Sequence, residues 1–156
     1  MRSVVASRSA AWSWITLRVC PNSSKLTSAL TGSGLPGVPL HGTFLGTPGS
    51  DDAAQLALAP DGTVLLAGAT DHPGFPTTPG AWDTVHNGGA MLDDCFVVRM
   101  ESDLSDLLYS SFLGGDGIDL PFALEAAGAD AVVLGGVTTS ATFPVRVGSF
   151  DTSFNG

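Results

Sequence analysis

The chain has 156 residues, enough for one domain with a sizeable core and too few for two large ones. Apolar residues make up 44% and charged residues only 13%, which excludes a disordered chain, while 20 Gly and 10 Pro favour short strands and turns over long helices. All 15 acids lie from Asp51 onward, where the only bases are Arg99 and Arg146, so the body repels phosphate backbones and nucleic acid is not expected as a partner.

Residues 1–40 differ in kind and read as leader and linker, mostly disordered. Arg2 and Arg8 precede the short apolar run Ala10-Ala11-Trp12-Ser13-Trp14-Ile15-Thr16-Leu17, a weak export signal. That run is far short of the roughly 20 residues of a membrane span, so none is expected. Leu17-Arg18-Val19-Cys20 is similar to a lipoprotein cleavage box, although the box wants a small residue where Val19 stands. Residues 21–40 are rich in Ser, Thr, Gly and Pro, show no periodicity and read as linker. Asn22-Ser23-Ser24 matches the N-glycosylation pattern, a match common by chance.

From residue 41 the chain repeats itself with a period of about 68 residues. Phe44-Leu45-Gly46 falls on Phe112-Leu113-Gly114, and Gly49 and Asp51 fall on Gly117 and Asp119. Val64, Leu66, Gly68 and Thr70 meet Val132, Leu134, Gly136 and Thr138. Phe75-Pro76 meets Phe143-Pro144, and Asn87-Gly88 meets Asn155-Gly156. Roughly 18 of 46 positions are identical without a gap, well beyond chance for an ungapped offset. The first repeat covers 43–110 and a truncated second covers 111–156.

Within a repeat, residues 53–59 alternate and predict a strand. Pro60-Asp61-Gly62 is a turn, since Pro presets φ, Asp bonds the backbone and Gly tolerates positive φ. Thr63–Ala69 is a nearly continuous apolar run, predicting a strand buried on both faces. A Pro- and Gly-rich loop occupies 71–80. Asp94–Met100 and Leu107–Leu113 predict the third and fourth strands, and Gly42–Leu45 the last strand of a preceding unit. The expectation is an all-β fold. The expected architecture is a partial β-propeller, with about one complete four-stranded antiparallel blade plus parts of its neighbours. Trp82 and Phe150 occupy equivalent positions and are expected as core anchors. Cys95, inside an apolar strand, is expected as a small buried hydrophobe, and no CxxC pair suggests a zinc site or disulfide framework.

The motifs together resemble the SBBP repeat family of predicted seven-bladed β-propellers. Tyr109-Ser110-Ser111-Phe112-Leu113-Gly114-Gly115 carries the family's first element. Gly49-Ser50-Asp51 and Gly117-Ile118-Asp119 carry its Gly-x-Asp turn, and Gly68-Ala69-Thr70 and Gly136-Val137-Thr138 its Gly-x-Thr. Phe75-Pro76-Thr77 and Asp94-Cys95-Phe96-Val97 complete the pattern, over about three quarters of the chain. The second repeat departs from it at Ala126-Ala127-Gly128-Ala129-Asp130, in place of a clean turn, and at Val145, where Thr is usual. The resemblance implies a bacterial secreted or cell-surface protein with no catalytic residues to carry over.

The second repeat stops where the first continues into two more strands. Since a closed propeller needs roughly four to eight blades, a fragment is expected, completed by further blades or by self-association. Candidate sites are few. Gly114-Gly115-Asp116-Gly117-Ile118-Asp119 spells the start of a calcium-binding nonapeptide, but it recurs only at the long period and Pro121 stands where a large apolar residue is wanted. Asp51, Asp116 and Asp119 are therefore weak metal candidates, read first as turn residues, and Asp51-Asp52 and Asp93-Asp94 are too few oxygens alone for calcium. His41, His72 and His86 are scattered, and no HExxH, GxSxG or phosphate-binding glycine loop occurs. The expected function is a non-enzymatic structural or binding module without cofactor, meeting a protein or glycan partner. The alternatives are a calcium-dependent adhesive protein or a piece of a propeller enzyme.

Overall fold

The computed structural model describes residues 3–6, 14–19, 25–31, 39–88, 93–128 and 130–156. It is all-β, with no helix among the described residues. Strands β1 (Ser3–Ala6), β2 (Trp14–Val19), β3 (Lys25–Thr31) and β4 (Pro39–Gly46) pair in sequence order as one antiparallel sheet. Strands β5 (Asp51–Leu58), β6 (Val64–Thr70), β7 (Asp94–Met100) and β8 (Leu107–Leu113) form a second four-stranded antiparallel meander. Strands β9 (Asp119–Ala126) and β10 (Val132–Thr138) form a two-stranded sheet. Among the first forty residues, expected as leader and linker, β1, β2, β3 and the start of β4 are described. Gly42–Leu45 lies within β4, beside these three further strands rather than alone. Cys20, the glycosylation match and most of residues 1–13 lie outside the described residues.

The central sheet follows from the alternation and turn chemistry of its sequence. The turn at Pro60-Asp61-Gly62 closes with Gly62 N–H donating to the Ala59 carbonyl at 2.9 Å, and Ala59 N–H to Thr63 O at 2.9 Å. The Asp61 carboxylate accepts from both the Thr63 N–H and its hydroxyl. β6 is buried along its whole length, because strands flank it on both edges and β9 packs across β5, β6 and β7. Phe75 from the following loop stacks on Phe96 with centroids 4.2 Å apart, and Phe112 closes the cluster at 6.2 Å from Phe75. Leu56, Leu66 and Val98 fill the space beside them.

The repeat extends from residue identities to backbone detail. β9 and β10 begin and end one repeat length after β5 and β6. Each hairpin carries one extra residue at the same place, Ala54 between Ala53 and Gln55, and Phe122 between Pro121 and Ala123. Opposite each bulge stands a glycine: a Cβ on Gly68 would collide with the Asp52 carbonyl oxygen, and one on Gly136 with that of Leu120. The second hairpin closes despite its irregular turn sequence, with Ala127 N–H donating to Ala131 O at 2.8 Å as Ala59 does to Thr63.

The loop after β6 does more than connect. Residues 76–83 run back along β8, where Thr78 N–H donates to Ser110 O, Ser110 Oγ to Pro76 O, and Phe112 N–H to Asp83 O. The backbone of an edge strand is thereby satisfied rather than offered to another chain. Trp82 and Phe150 are not core anchors. Trp82 is 74% exposed and Phe150 fully exposed. The loop drives Phe75 into the core, and after the turn at Gly80 its outward face carries Trp82, whose backbone N–H donates to the Tyr109 hydroxyl. Cys95 is buried and free, and burial pushes its thiol up to about 12.

Candidate functional site

Two of the repeat signature residues, Asp51 and Thr70, meet at a buried carboxylate at the start of the first hairpin. Asp51 opens β5 and is 4% exposed. Its Oδ2 accepts from Thr47 N–H at 2.6 Å and Thr47 Oγ1 at 3.0 Å, and its Oδ1 from Thr70 Oγ1 at 2.7 Å. The Gly-x-Asp turn and the Gly-x-Thr strand end are therefore two halves of one hydrogen-bonded lock. Thr70 stands across from Asp51 in the register, which is why the two motifs keep a fixed spacing.

Asp119 opens β9 in the same way, with a difference. Its Oδ2 accepts from Gly115 N–H at 2.9 Å and Ser140 Oγ at 2.7 Å. Thr138, the counterpart of Thr70, accepts from Ser140 N–H as Thr70 accepts from His72 N–H, but it makes no hydrogen bond to Asp119. Asp119 Oδ1 is left buried with no partner. Across from it lies Asp94, first residue of β7, fully buried, with Oδ2 accepting from Asn87 N–H at 2.6 Å and Oδ1 likewise unpartnered. Gly114 separates the two: a Cβ there would sit 2.8 Å from both Asp94 Oδ1 and Asp119 Oδ2. The backbone seals the same junction, with Asp119 N–H donating to Asp93 O at 2.8 Å.

Burial holds the Asp94 carboxyl above the usual carboxylate range, and the Asp119 charge adds to this against the opposing pull of the Asn87 N–H and of His86. Asp93 is also raised, by burial first and then by the charges of Asp71 and Asp52. The exposed Asp116 is lowered, chiefly by the Thr142 backbone N–H.

Of the three weak metal candidates, Asp51 uses both oxygens on protein donors, Asp116 is exposed and turned to Thr142, and Asp119 is turned to Ser140 and Gly115. Among the described residues no group of three or more His, Cys, Asp or Glu could hold a metal ion. The histidines go to separate tasks. His72 Nδ1 accepts from Gly74 N–H, and His86 donates through Nε2 to Thr70 O while its ring meets Phe112 edge-on. Neither the meeting of Asp119 with Ser140 and Asp94 nor that of Asp94 with Asn87 was legible in the sequence. The one available signal was an acid placed at the head of an apolar strand.

Two cavities lie where the β9–β10 hairpin meets the central sheet. One of about 320 Å³ is lined by Leu65, Val97, Tyr109 and Val132, with Arg99 at its rim. Arg99 pairs with Asp61 at 2.6 Å and reaches Asp130 of the neighbouring hairpin at 3.6 Å. The other, about 210 Å³, is lined by Cys95, Leu113, Leu134 and Phe143, with Asp119 in its wall. No described helix is long and apolar enough to cross a membrane. Compared with family models, with curated proteins and with solved structures, the chain matches none.

Proposed function

We propose that this chain is a non-enzymatic structural or binding module of a bacterial secreted or cell-surface β-propeller, made of SBBP-type repeats. The observation that carries the reading is the recurrence of one hydrogen-bonded frame at the repeat spacing. Asp71 N–H to Ser50 O returns as Thr139 N–H to Ile118 O, and Phe75 N–H to His72 O as Phe143 N–H to Ser140 O. Asn87 Nδ2 to Asp83 Oδ2 returns as Asn155 Nδ2 to Asp151 Oδ2. A frame that repeats while its loop residues vary is a scaffold whose rim presents different side chains.

On this reading further blades or a second copy cover the outer face of β9–β10, where Phe122, Val133 and Val137 are exposed. The equivalents of the last two, Leu65 and Ala69, are buried. The functional partner is a protein or glycan met by the loops. The test is a binding screen with the full chain immobilised against a defined set of bacterial and host glycans and surface proteins. Saturable binding without turnover is expected. Turnover of any of them, lost in a point variant, would replace the reading with an enzyme.

A further inference from the structure

We propose that the Asp94 carboxyl keeps its proton at neutral pH and donates it toward Asp119, forming an acid–carboxylate latch that holds the β9–β10 hairpin on the central sheet. The two side chains are 0% and 1% exposed, come from different sheets, and each has an oxygen with no donor. Asp94 Oδ1, which has no donor, and Asp119 Oδ2, which accepts from Gly115 N–H and Ser140 Oγ, each lie 2.8 Å from one point beside Gly114, so they are no farther apart than twice that distance. Two ionised carboxylates this close and this dry repel strongly, and a buried charge without a counter-charge neutralises by taking up a proton.

Among the described residues no ion pair reaches either carboxylate. From β7 come Cys95, a neutral thiol, and the adjoining Asp93, itself an acid. From the loop after β6 come Asn87 and His86. From β10 comes Thr138, across from Asp119 in the register, from the loop after β10 Ser140, and from just after β8 Gly114, none of them charged. His86 is the one group whose charge favours the ionised pair. A calcium ion takes six to eight oxygens, and the junction has only two carboxylate oxygens to spare. One proton needs only two acceptors. The first repeat needs no such proton, because Thr70 donates to the Asp51 oxygen that corresponds to the orphaned one on Asp119.

The latch gives the junction a pH dependence of definite sign. A carboxyl whose folded pKa lies above its unfolded value binds more protons folded than unfolded. Its stabilisation is complete below the unfolded pKa of about 4 and is lost as pH rises through the raised value. Asp119→Asn puts a permanent N–H donor beside Asp94 and removes the neighbouring carboxylate, so that Asp94 no longer needs its proton. The difference in Tm between D119N and the unaltered chain is therefore expected to grow in favour of D119N by about 2–4 °C between pH 4 and pH 8, and to do so equally in an H86Q background. The infrared band of a protonated carboxyl is expected at neutral pH in the unaltered chain and absent from D94N, a reading that does not depend on how stable either variant is. A Tm difference that stays constant with pH, or an unaltered chain without the protonated band, overturns the proposal. So does a rise in Tm on adding calcium that is lost in D94N, since a cation would then occupy the pair.

Discussion

Replacing Asp51 with alanine tests the lock at the start of the first hairpin. The substitution removes the acceptor for Thr47 N–H at 2.6 Å, Thr47 Oγ1 at 3.0 Å and Thr70 Oγ1 at 2.7 Å, all in buried surroundings. A hydrogen bond to a charged acceptor contributes about 1.5–3 kcal/mol, and a buried donor left without a partner costs about 1–3 kcal/mol. The hydroxyls can rotate toward other acceptors, but the Thr47 N–H is fixed by the backbone. The sum is not additive, and a loss of about 3–5 kcal/mol is expected, equivalent to roughly 10 °C in Tm for a chain of this size. Urea unfolding followed by tryptophan fluorescence and circular dichroism measures it, with the midpoint falling at unchanged slope. D61A serves as the comparison, because Asp61 lies in an exposed turn and is expected to cost about 1 kcal/mol or less. If D51A costs no more than D61A, the lock is not what holds the hairpin and the account of the repeat signature fails.

Other outcomes follow from the packing. Phe96→Ala, which removes a fully buried ring stacked on Phe75, is expected to lower stability by about 3–5 kcal/mol in the same unfolding assay. Trp82→Ala and Phe150→Ala are expected to change it by about 0.5 kcal/mol or less, since both rings face outward; a large loss in either would restore them to the core. Cys95, buried and with its thiol pushed up to about 12, is expected to stay unreactive toward a thiol reagent at pH 8 until the chain unfolds. Fast labelling under native conditions, measured in a Cys20→Ser background, would show that β7 opens.

What could be read from residues alone was whatever depends on neighbours in the chain. The period, the strands β5 to β8 and the turn at Pro60-Asp61-Gly62 follow from alternation and from the backbone preferences of Pro, Asp and Gly, which act over a few residues. The burial of β6 on both faces was legible because a central strand is apolar throughout. Strands β2 and β3 were not legible, because their apolar runs are also those of a weak export signal followed by a linker. Trp82 and Phe150 misled because an aromatic at a repeated position shows that the position is used, not which way its side chain points. The meeting of Asp94 with Asp119 and the run of residues 76–83 along β8 were decided only in three dimensions. Both join segments that no local preference connects. Only the stacking of one sheet on the next, driven by apolar area that neither can cover alone, brings them within hydrogen-bonding reach.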